Sequence, residues 1–427
     1  MKELPEVDHS ARRLAKLLLV SHNFPPTLGP ESSLVRLNTI DLCRRGWQVS
    51  VLTTTTEHMH QSQDFAMLQG LPADLEVIRT PSYDAVINKR FQRFGKLLMF
   101  ALRSYLLPEV FLLWLFSALP AGRRWLRQNR DVIIYSRATK HVSNVLGWHL
   151  KRATGLPWVA HMSDPWVDHT INRFQRWTAR RMEKRIFRDA DAIVTVSARL
   201  GEHLLKAHPS ARHKMHIIPH GYAPRDLAPQ EHAAGTRPLR ILHAGCFYPG
   251  YREPDKLFEG LALLNQREAL RGRLTTTLVG DDTGCFQSVA KRLGVQDIVE
   301  FLPVVPYEKC QQMIAESDLL LVIDAPGTGG IFLPTKLIEY LAHQKPVLGL
   351  AEPGSTIHQL LQECDLSFAD QNNPQSIADA LQGLLARWES GEWGVSELSK
   401  QRGRRYQIDE INGALDELFC SLRSKGL

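Results

Sequence analysis

The chain has 427 residues, 44% of them hydrophobic, and a formal net charge of +7. That length exceeds one comfortable core and suits two domains, while the charge favours anionic partners (nucleic acid, anionic lipid or phosphorylated small molecules) without choosing among them. The six cysteines, Cys43, Cys246, Cys285, Cys310, Cys364 and Cys420, are scattered, with no C-x-x-C pair and no histidine at metal-ligand spacing, which excludes a disulfide framework or zinc site as a design principle and fits a reducing compartment.

The opening MKELPEVDHSARRLAK lacks the apolar core and cleavage site of a secretory signal, so a cytoplasmic protein is expected. From Lys16, KLLLVS reads as a strand, Ser33 to Arg44 as a helix closed by Gly46, and QVSVLT as a second strand, which makes a β-α-β unit. The segment from Phe94 to Arg130 breaks the rhythm. Arg103, Pro108 and Glu109 interrupt it, and its longest clean apolar run, Val110 to Ala121, is too short to span a bilayer. Its flanking cations, Arg93 and Lys96 before and Arg123, Arg124 and Arg127 after, suit an anionic membrane surface; a buried helical pair is the alternative. DVIIYS, PWVAHM, DAIVTVS and KMHIIP then read as short buried strands. Near-continuous apolar strands imply a sheet covered on both faces, hence a parallel one. Between them, NRFQRWTARRMEKRIFRDA mixes Phe174, Trp177, Met182 and Ile186 with basic residues, as a solvated helix or one touching membrane would.

A Pro-, Ala- and Gly-rich stretch from His220 to Pro238 reads as a linker, after which the pattern restarts with LRILHAG, LTTTLVG, IVEFLP, DLLLVID and KPVLGL. The expected architecture is α/β: two Rossmann-like parallel-sheet domains facing a cleft at the carboxyl ends of their strands. The first is expected over residues 1–225 with a hydrophobic and basic insertion at about 91–130, the second over 238–405, and a last helix from Tyr406 to Leu422, within 406–427, is expected to pack back on the first domain.

Within PTKLIEYLA, Leu337, Ile338, Leu341 and Ala342 share one helical face, leaving Thr335, Lys336 and Glu339 on the other around the first turn. Pro334 fixes the start of the helix and Thr335 is expected to cap it. Free backbone N–H groups there form an anion site to which Lys336 adds a full charge, so a phosphate or diphosphate is the natural guest. Glu339 would repel phosphate but can accept from vicinal hydroxyls such as those of a ribose. The same spacing also suits a plain surface Lys336–Glu339 pair. Upstream, Gly327, Gly329 and Gly330 allow a backbone to approach a ligand closely, and Arg252, in HAGCFYPGYREP, is placed either to grip phosphate oxygens or simply to face solvent. VGDD, Val279 to Asp282, is a further strand-end loop.

Taken together, LRILHAGCFYPGYREPDKLFEGLALL, VGDD, LPTKLIEYLAHQKPVLGL and ADAIVTVSARL followed by IIPHGY resemble the nucleotide-sugar glycosyltransferases of family 4, with the GT-B fold, over residues from about 16 to 370. The resemblance implies a donor site on the second domain, with Lys336 and Arg252 on the diphosphate, Glu339 on the ribose, and Thr335, Gly245 and, from the first domain, Gly29 close to the phosphates. It implies a UDP- or GDP-linked sugar as co-substrate, no separate cofactor and no metal, since lysine and arginine neutralise the diphosphate. Ile331 stands where the family often has a glutamate near the donor sugar, which leaves the sugar open.

In the first domain, SHNFPPTLGPESSLVR resembles the family's acceptor-side loop, with Arg36 at a recurrent basic position and the usual double glycine reduced to Gly29-Pro30. GLPWVAHMSDPW resembles a subgroup's "RDPW" stretch, with Ser163 in place of the arginine; Asp164 and His161 are the implied catalytic groups and Trp166 an acceptor-side residue. A strand-end histidine and an Asp capping the next helix are the plainer alternatives. The expected function is retaining transfer of a sugar from a nucleotide diphosphate to a lipid-linked or growing glycan acceptor, in bacterial surface-polysaccharide synthesis, by a cytoplasmic enzyme in contact with the inner face of the membrane. A nucleotide-sugar epimerase or hydrolase, or a non-catalytic nucleotide-sugar-binding scaffold, are the rival readings; nucleic acid is disfavoured because the cations flank apolar stretches rather than an aromatic-interleaved stripe.

Overall fold

The computed structural model describes residues 15–56, 63–83, 109–138, 140–170, 172–225, 234–247, 250, 252–280, 284–325, 327 and 329–426. It consists of two compact units, Met1–Gly221 with Ile408–Leu427, and Tyr222–Gln407.

In the first domain, β1 (Lys16–Val20), β2 (Gln48–Thr54), β3 (Glu76–Thr80), β4 (Val132–Ala138), β5 (Trp158–Met162), β6 (Ala192–Thr195) and β7 (Met215–Ile217) form one sheet in the order β3-β2-β1-β4-β5-β6-β7. Every pairing is parallel. Helices α1 (Pro30–Arg44), α2 (Leu115–Gln128), α3 (Val142–Thr154), α4 (Arg173–Asp189) and α5 (Ala198–Ala207) make the crossovers. The central strands explain the sheet's burial: Leu17, Leu18, Leu19, Ile134 and Tyr135 are wholly inaccessible, as a strand covered on both faces requires. Helix α1 starts at Pro30, three residues before the predicted Ser33, because proline's fixed φ and missing N–H suit the first helical position.

The segment after β3 reenters the described chain at Glu109; residues 91–108 of the predicted insertion lie outside the described residues. The rest of the insertion is a 3₁₀ turn, Val110–Trp114, running into α2. Trp114 and Trp125 are buried, and their indole N–H groups donate to Thr80 Oγ1 (2.8 Å) and Glu76 Oε2 (2.7 Å), tying α2 to the edge strand β3. No helix among the described residues is long and apolar enough to cross a membrane.

The second domain holds β8 (Leu239–Ala244), β9 (Leu274–Val279), β10 (Val299–Leu302), β11 (Leu319–Ile323), β12 (Val347–Ala351) and β13 (Ser367–Asp370), all parallel, in the order β10-β9-β8-β11-β12-β13. Around it lie α6 (Asp255–Arg267), α7 (Cys285–Arg292), α8 (Tyr307–Glu316), α9 (Thr335–Leu341), α10 (Thr356–Glu363), α11 (Pro374–Glu389) and α12 (Glu397–Gly403). The edge strands β3 and β13 were not anticipated: EVIRT and SFAD are short and charged, and only a neighbouring strand makes them part of a sheet.

Residues 226–233 of the predicted linker lie outside the described residues. The last helix, α13 (Ile408–Gly426), begins two residues after the predicted Tyr406, which belongs to a 3₁₀ turn. It lies against α1 in the first domain: Ile411, Leu415, Leu418 and Phe419 join that core, Asn38 Nδ2 donates to Asn412 Oδ1 (2.6 Å), and Trp47 Nε1 donates to Asp416 Oδ1 (2.8 Å).

Candidate functional site

In an open parallel sheet, ligands collect where the strand order reverses, beyond the carboxyl ends of the strands flanking the reversal. In the second domain those strands are β8 and β11. His243 is the last but one residue of β8 and fully buried; its Nδ1–H donates to the Leu321 carbonyl on β11 (3.0 Å), which leaves Nε2 as a lone-pair acceptor. Lys336, in the first turn of α9, donates to that Nε2 at 3.1 Å. Gly245 has φ +146, which L side chains rarely adopt, and a Cβ at this position would stand 2.3 Å from Lys336 Nζ, so any other residue would strain the backbone and push the lysine aside. The Ala244 N–H donates to Tyr340 Oη (3.0 Å), locking the strand end to α9.

The electrostatics of this corner favour an anion. Burial, and then repulsion from Arg252, push the Lys336 ammonium down to about 7, against the pull of Cys246, Cys310 and Glu339. Arg252 has a buried Nε with no hydrogen-bond partner. Burial raises the Asp324 carboxyl to about 6, opposed by the Ala325 N–H and Arg252; its Oδ2 is buried and unpartnered. Burial also raises Glu339, with Arg225 the main counterweight and Lys336 the second. Two cations brought close together without a matching ion pair can be relieved by a ligand that carries charge of the opposite sign.

The structure therefore gathers Lys336, Arg252, Gly245 and Glu339 in one place, and adds His243 and Asp324, which the sequence reading passed over. The polar His243 inside the otherwise apolar strand LRILHA was the available signal. Thr335 is corrected: Pro334 occupies the cap position, and Thr335 is already the first helical residue, with no side-chain bond to the helix end. Lys336 and Glu339 are both partly buried, which does not suit the plain surface pair. Asp281 and Asp282 of VGDD lie outside the described residues; Gly330 packs its Cα hydrogens against Ser355, where a Cβ would come within 2.4 Å.

The first domain has its own polar group beyond the reversal between β1 and β4. Arg137, buried at the end of β4, donates from Nε to Glu31 Oε1 (2.9 Å), from Nη1 to Asn38 Oδ1 (3.0 Å), and from Nη2 to His220 Nδ1 (3.3 Å). His161, buried on β5, lies nearly parallel to His220 with ring centres 6.3 Å apart, and its Nδ1 is 3.3 Å from Ser163 Oγ. Burial and the Arg137 charge hold both imidazoles neutral, His220 down to about 3 and His161 well below the usual range. Asp164 is raised to about 6, by burial first and then by the Glu31 charge, with Lys140 pulling it back. A carboxyl at about 6 can take or give a proton near neutral pH, whereas the two imidazoles, held neutral, can offer only hydrogen bonds there.

His161 and Asp164 thus belong to a network whose other members, Glu31, Arg137 and His220, the sequence reading did not single out. An arginine at the end of the apolar run VIIYSRA was the signal, because a charge there must find a partner. The remaining predicted residues lie elsewhere. Arg36 donates from Nε to the Met67 carbonyl (2.6 Å) and from Nη2 to that of Gln69, bracing the loop before β3. Trp166 is 2% exposed and stacks on His141 with ring centres 4.9 Å apart, and its indole Nε1 is buried without a hydrogen-bond partner. Gly29, at φ +144, precedes α1, and the space a Cβ would take is open.

Comparison with known proteins gives three results. Residues 41–221 match a glycosyl transferase 4-like domain, and residues 238–387 match the glycosyl transferases of group 1. A D-inositol 3-phosphate glycosyltransferase of Nocardia farcinica is 28% identical over 226 residues, 49% of this chain and 45% of that one; the match spans less than half the length of such relatives. Among solved structures, Anabaena HepE in complex with UDP and glucose superposes with a TM-score of 0.63 at 16% identity, covering 95% of this chain and all of that one. The lipopolysaccharide outer core galactosyltransferase WaaB gives 0.57 at 15% identity, over 95% and 99% of the two chains. At such identities the superpositions establish the fold alone.

Proposed function

Because the chain belongs to the GT-B glycosyltransferases of the family-4 type, we propose that it transfers a sugar, with retention, from a UDP- or GDP-linked donor to a lipid-linked or growing glycan acceptor. The observation that carries this reading is the pair of partly buried cations, Lys336 and Arg252, at the strand reversal of the second domain, with Gly245 cut away to admit the lysine. In this reading the diphosphate oxygens lie against the two cations and Glu339 accepts from the ribose hydroxyls. As the bond from the sugar to the diphosphate breaks, the cations neutralise the charge that develops on the leaving oxygen. That oxygen takes the acceptor's proton on the attacked face; in the first domain, Asp164, its carboxyl poised near 6, and the neutral His161 are the groups offered for orienting an acceptor hydroxyl.

A setting in surface polysaccharide is supported by the fold shared with a lipopolysaccharide galactosyltransferase. Contact with an anionic membrane is supported by α4, where Phe174 and Trp177 are 49% and 52% exposed and Arg181 lies 4.6 Å over the Trp177 ring. The curated relatives favour a second acceptor reading, a phosphorylated polyol. Thermal melting against a panel of nucleotide sugars identifies the donor, since a ligand of the folded form raises Tm. Incubating that donor with membrane extract, with inositol phosphate, and with neither, then distinguishes the readings. A labelled product appearing only with an acceptor supports transfer, and turnover without any acceptor indicates an epimerase or hydrolase. Binding without turnover in all three arms indicates a scaffold.

A further inference from the structure

The lysine of the donor corner has a partner that is neither substrate nor counter-ion. We propose that His243 is a positioning residue for Lys336: its Nε2 holds the lysine, and an arriving diphosphate takes the lysine over. The proposal rests on the donor reading above and deepens it.

The geometry leaves little freedom. His243 is 0% exposed, and the Leu321 carbonyl fixes its tautomer by accepting from Nδ1–H at 3.0 Å, so the nitrogen facing Lys336 has a lone pair and no proton. The ring stacks on Phe247 with centres 4.9 Å apart, which prevents it from swinging away. Lys336 Nζ then lies 3.1 Å from Nε2, over Gly245. A neutral imidazole can accept one N–H from the lysine but brings no negative charge, so it places the lysine without satisfying it. A carboxylate in that position would have formed a permanent ion pair and competed with the diphosphate.

The charged and titratable groups facing Lys336 are Arg252 and Cys246 on the loop after β8, Cys310 on α8 and Glu339 on α9, besides His243. With the ammonium at about 7, a diphosphate that binds the charged form draws in a proton. The sign follows: nucleotide affinity is highest below pH 7 and falls as the pH rises above it. Removing the imidazole lone pair takes away a stabiliser of the ammonium and moves that fall to lower pH.

The test compares calorimetric binding of UDP, and of GDP, between pH 6 and pH 8.5 in the parent protein, in His243→Asn and in His243→Gln. Asparagine can still donate to the Leu321 carbonyl but is too short to reach Lys336; glutamine places an amide oxygen near the position of Nε2. The expected result is near-parental affinity for the asparagine variant at pH 6 and a loss of about fivefold or more at pH 8, with glutamine restoring the parental profile. In turnover, the effect should fall on KM for the donor and leave kcat unchanged. Equal pH profiles in all three proteins, or a uniform loss in both variants with no pH dependence, would overturn the role of His243 while leaving the donor site standing. No nucleotide binding by the parent at any pH would overturn both.

Discussion

Asp164 and Gly245 hold positions that are unfavourable unless the site is used. The Asp164 carboxyl is raised from 3.8 to about 6, so the folded protein binds its proton more tightly than the unfolded chain does. Stability contributed by the protonated form is present below pH 4 and is lost as the pH rises through 6; by pH 7 the cost is about 3 kcal/mol on the scale of 1.36 kcal/mol per unit. Asp164→Asn should therefore raise Tm by several degrees at pH 7, give a smaller difference at pH 4, and lower the transfer rate by about a hundredfold or more. Melting curves at the two pH values check the first part; equal shifts at both would show that ionisation is not the cause. Gly245→Ala adds a Cβ 2.3 Å from Lys336 Nζ, on a backbone at φ +146 that side chains rarely adopt. The expected cost is about 1–3 kcal/mol of stability, read from urea unfolding, together with weaker nucleotide binding. An alanine variant that binds nucleotide as the parent does would mean the lysine is not held where the diphosphate arrives.

Among the elements, α13 bears most directly on the first domain. Ile411, Leu415, Leu418 and Phe419 enter the core formed by β1, β2 and α1, though nearly all of that domain precedes them in the chain by almost two hundred residues. At about 1.5–3 kcal/mol for each buried side chain, the four together approach the whole stability of a typical domain, about 5–15 kcal/mol. Truncation after Gln407 is expected to abolish the folded first domain and leave the second intact, seen in scanning calorimetry as the loss of one transition; two transitions of parental size would contradict it. Helix α9 shows the opposite relation of element to site. It is short, has no side-chain cap, and is held by Tyr340 Oη accepting from the Ala244 N–H, so its placement of Lys336 depends on β8 as much as on its own sequence.

For the whole molecule, the two parallel sheets were legible because a strand buried on both faces needs an unbroken apolar run, and the LLLV of β1 and the LLLVI of β11 each supply one between polar or glycine ends. The edge strands were not, since β3 and β13 owe their state to a neighbour. Of the candidate site, the cluster of Lys336, Arg252, Gly245 and Glu339 could be placed from charge and glycine at strand ends. The Glu31–Arg137 pair could not, because it joins residues 106 apart in the chain and each alone passes for something ordinary, an acidic first helical turn and a strand-end cation. The cap expected at Thr335 and the carbonyl partners of Arg36 were not legible for a related reason: spacing places a side chain near a site but does not show which nearby carbonyl or cap position it meets first. The net charge of +7 offered no discrimination, as the cations that matter are those turned inward at one sheet edge. The central claim, that the second domain grips a nucleotide diphosphate with Lys336 and Arg252, is tested most directly by titrating UDP and GDP calorimetrically into the parent protein and into Lys336→Met. Saturable binding of one nucleotide by the parent, weakened about tenfold or more in the variant, is the predicted result; equal affinity in the two proteins, or no binding to the parent, would contradict it.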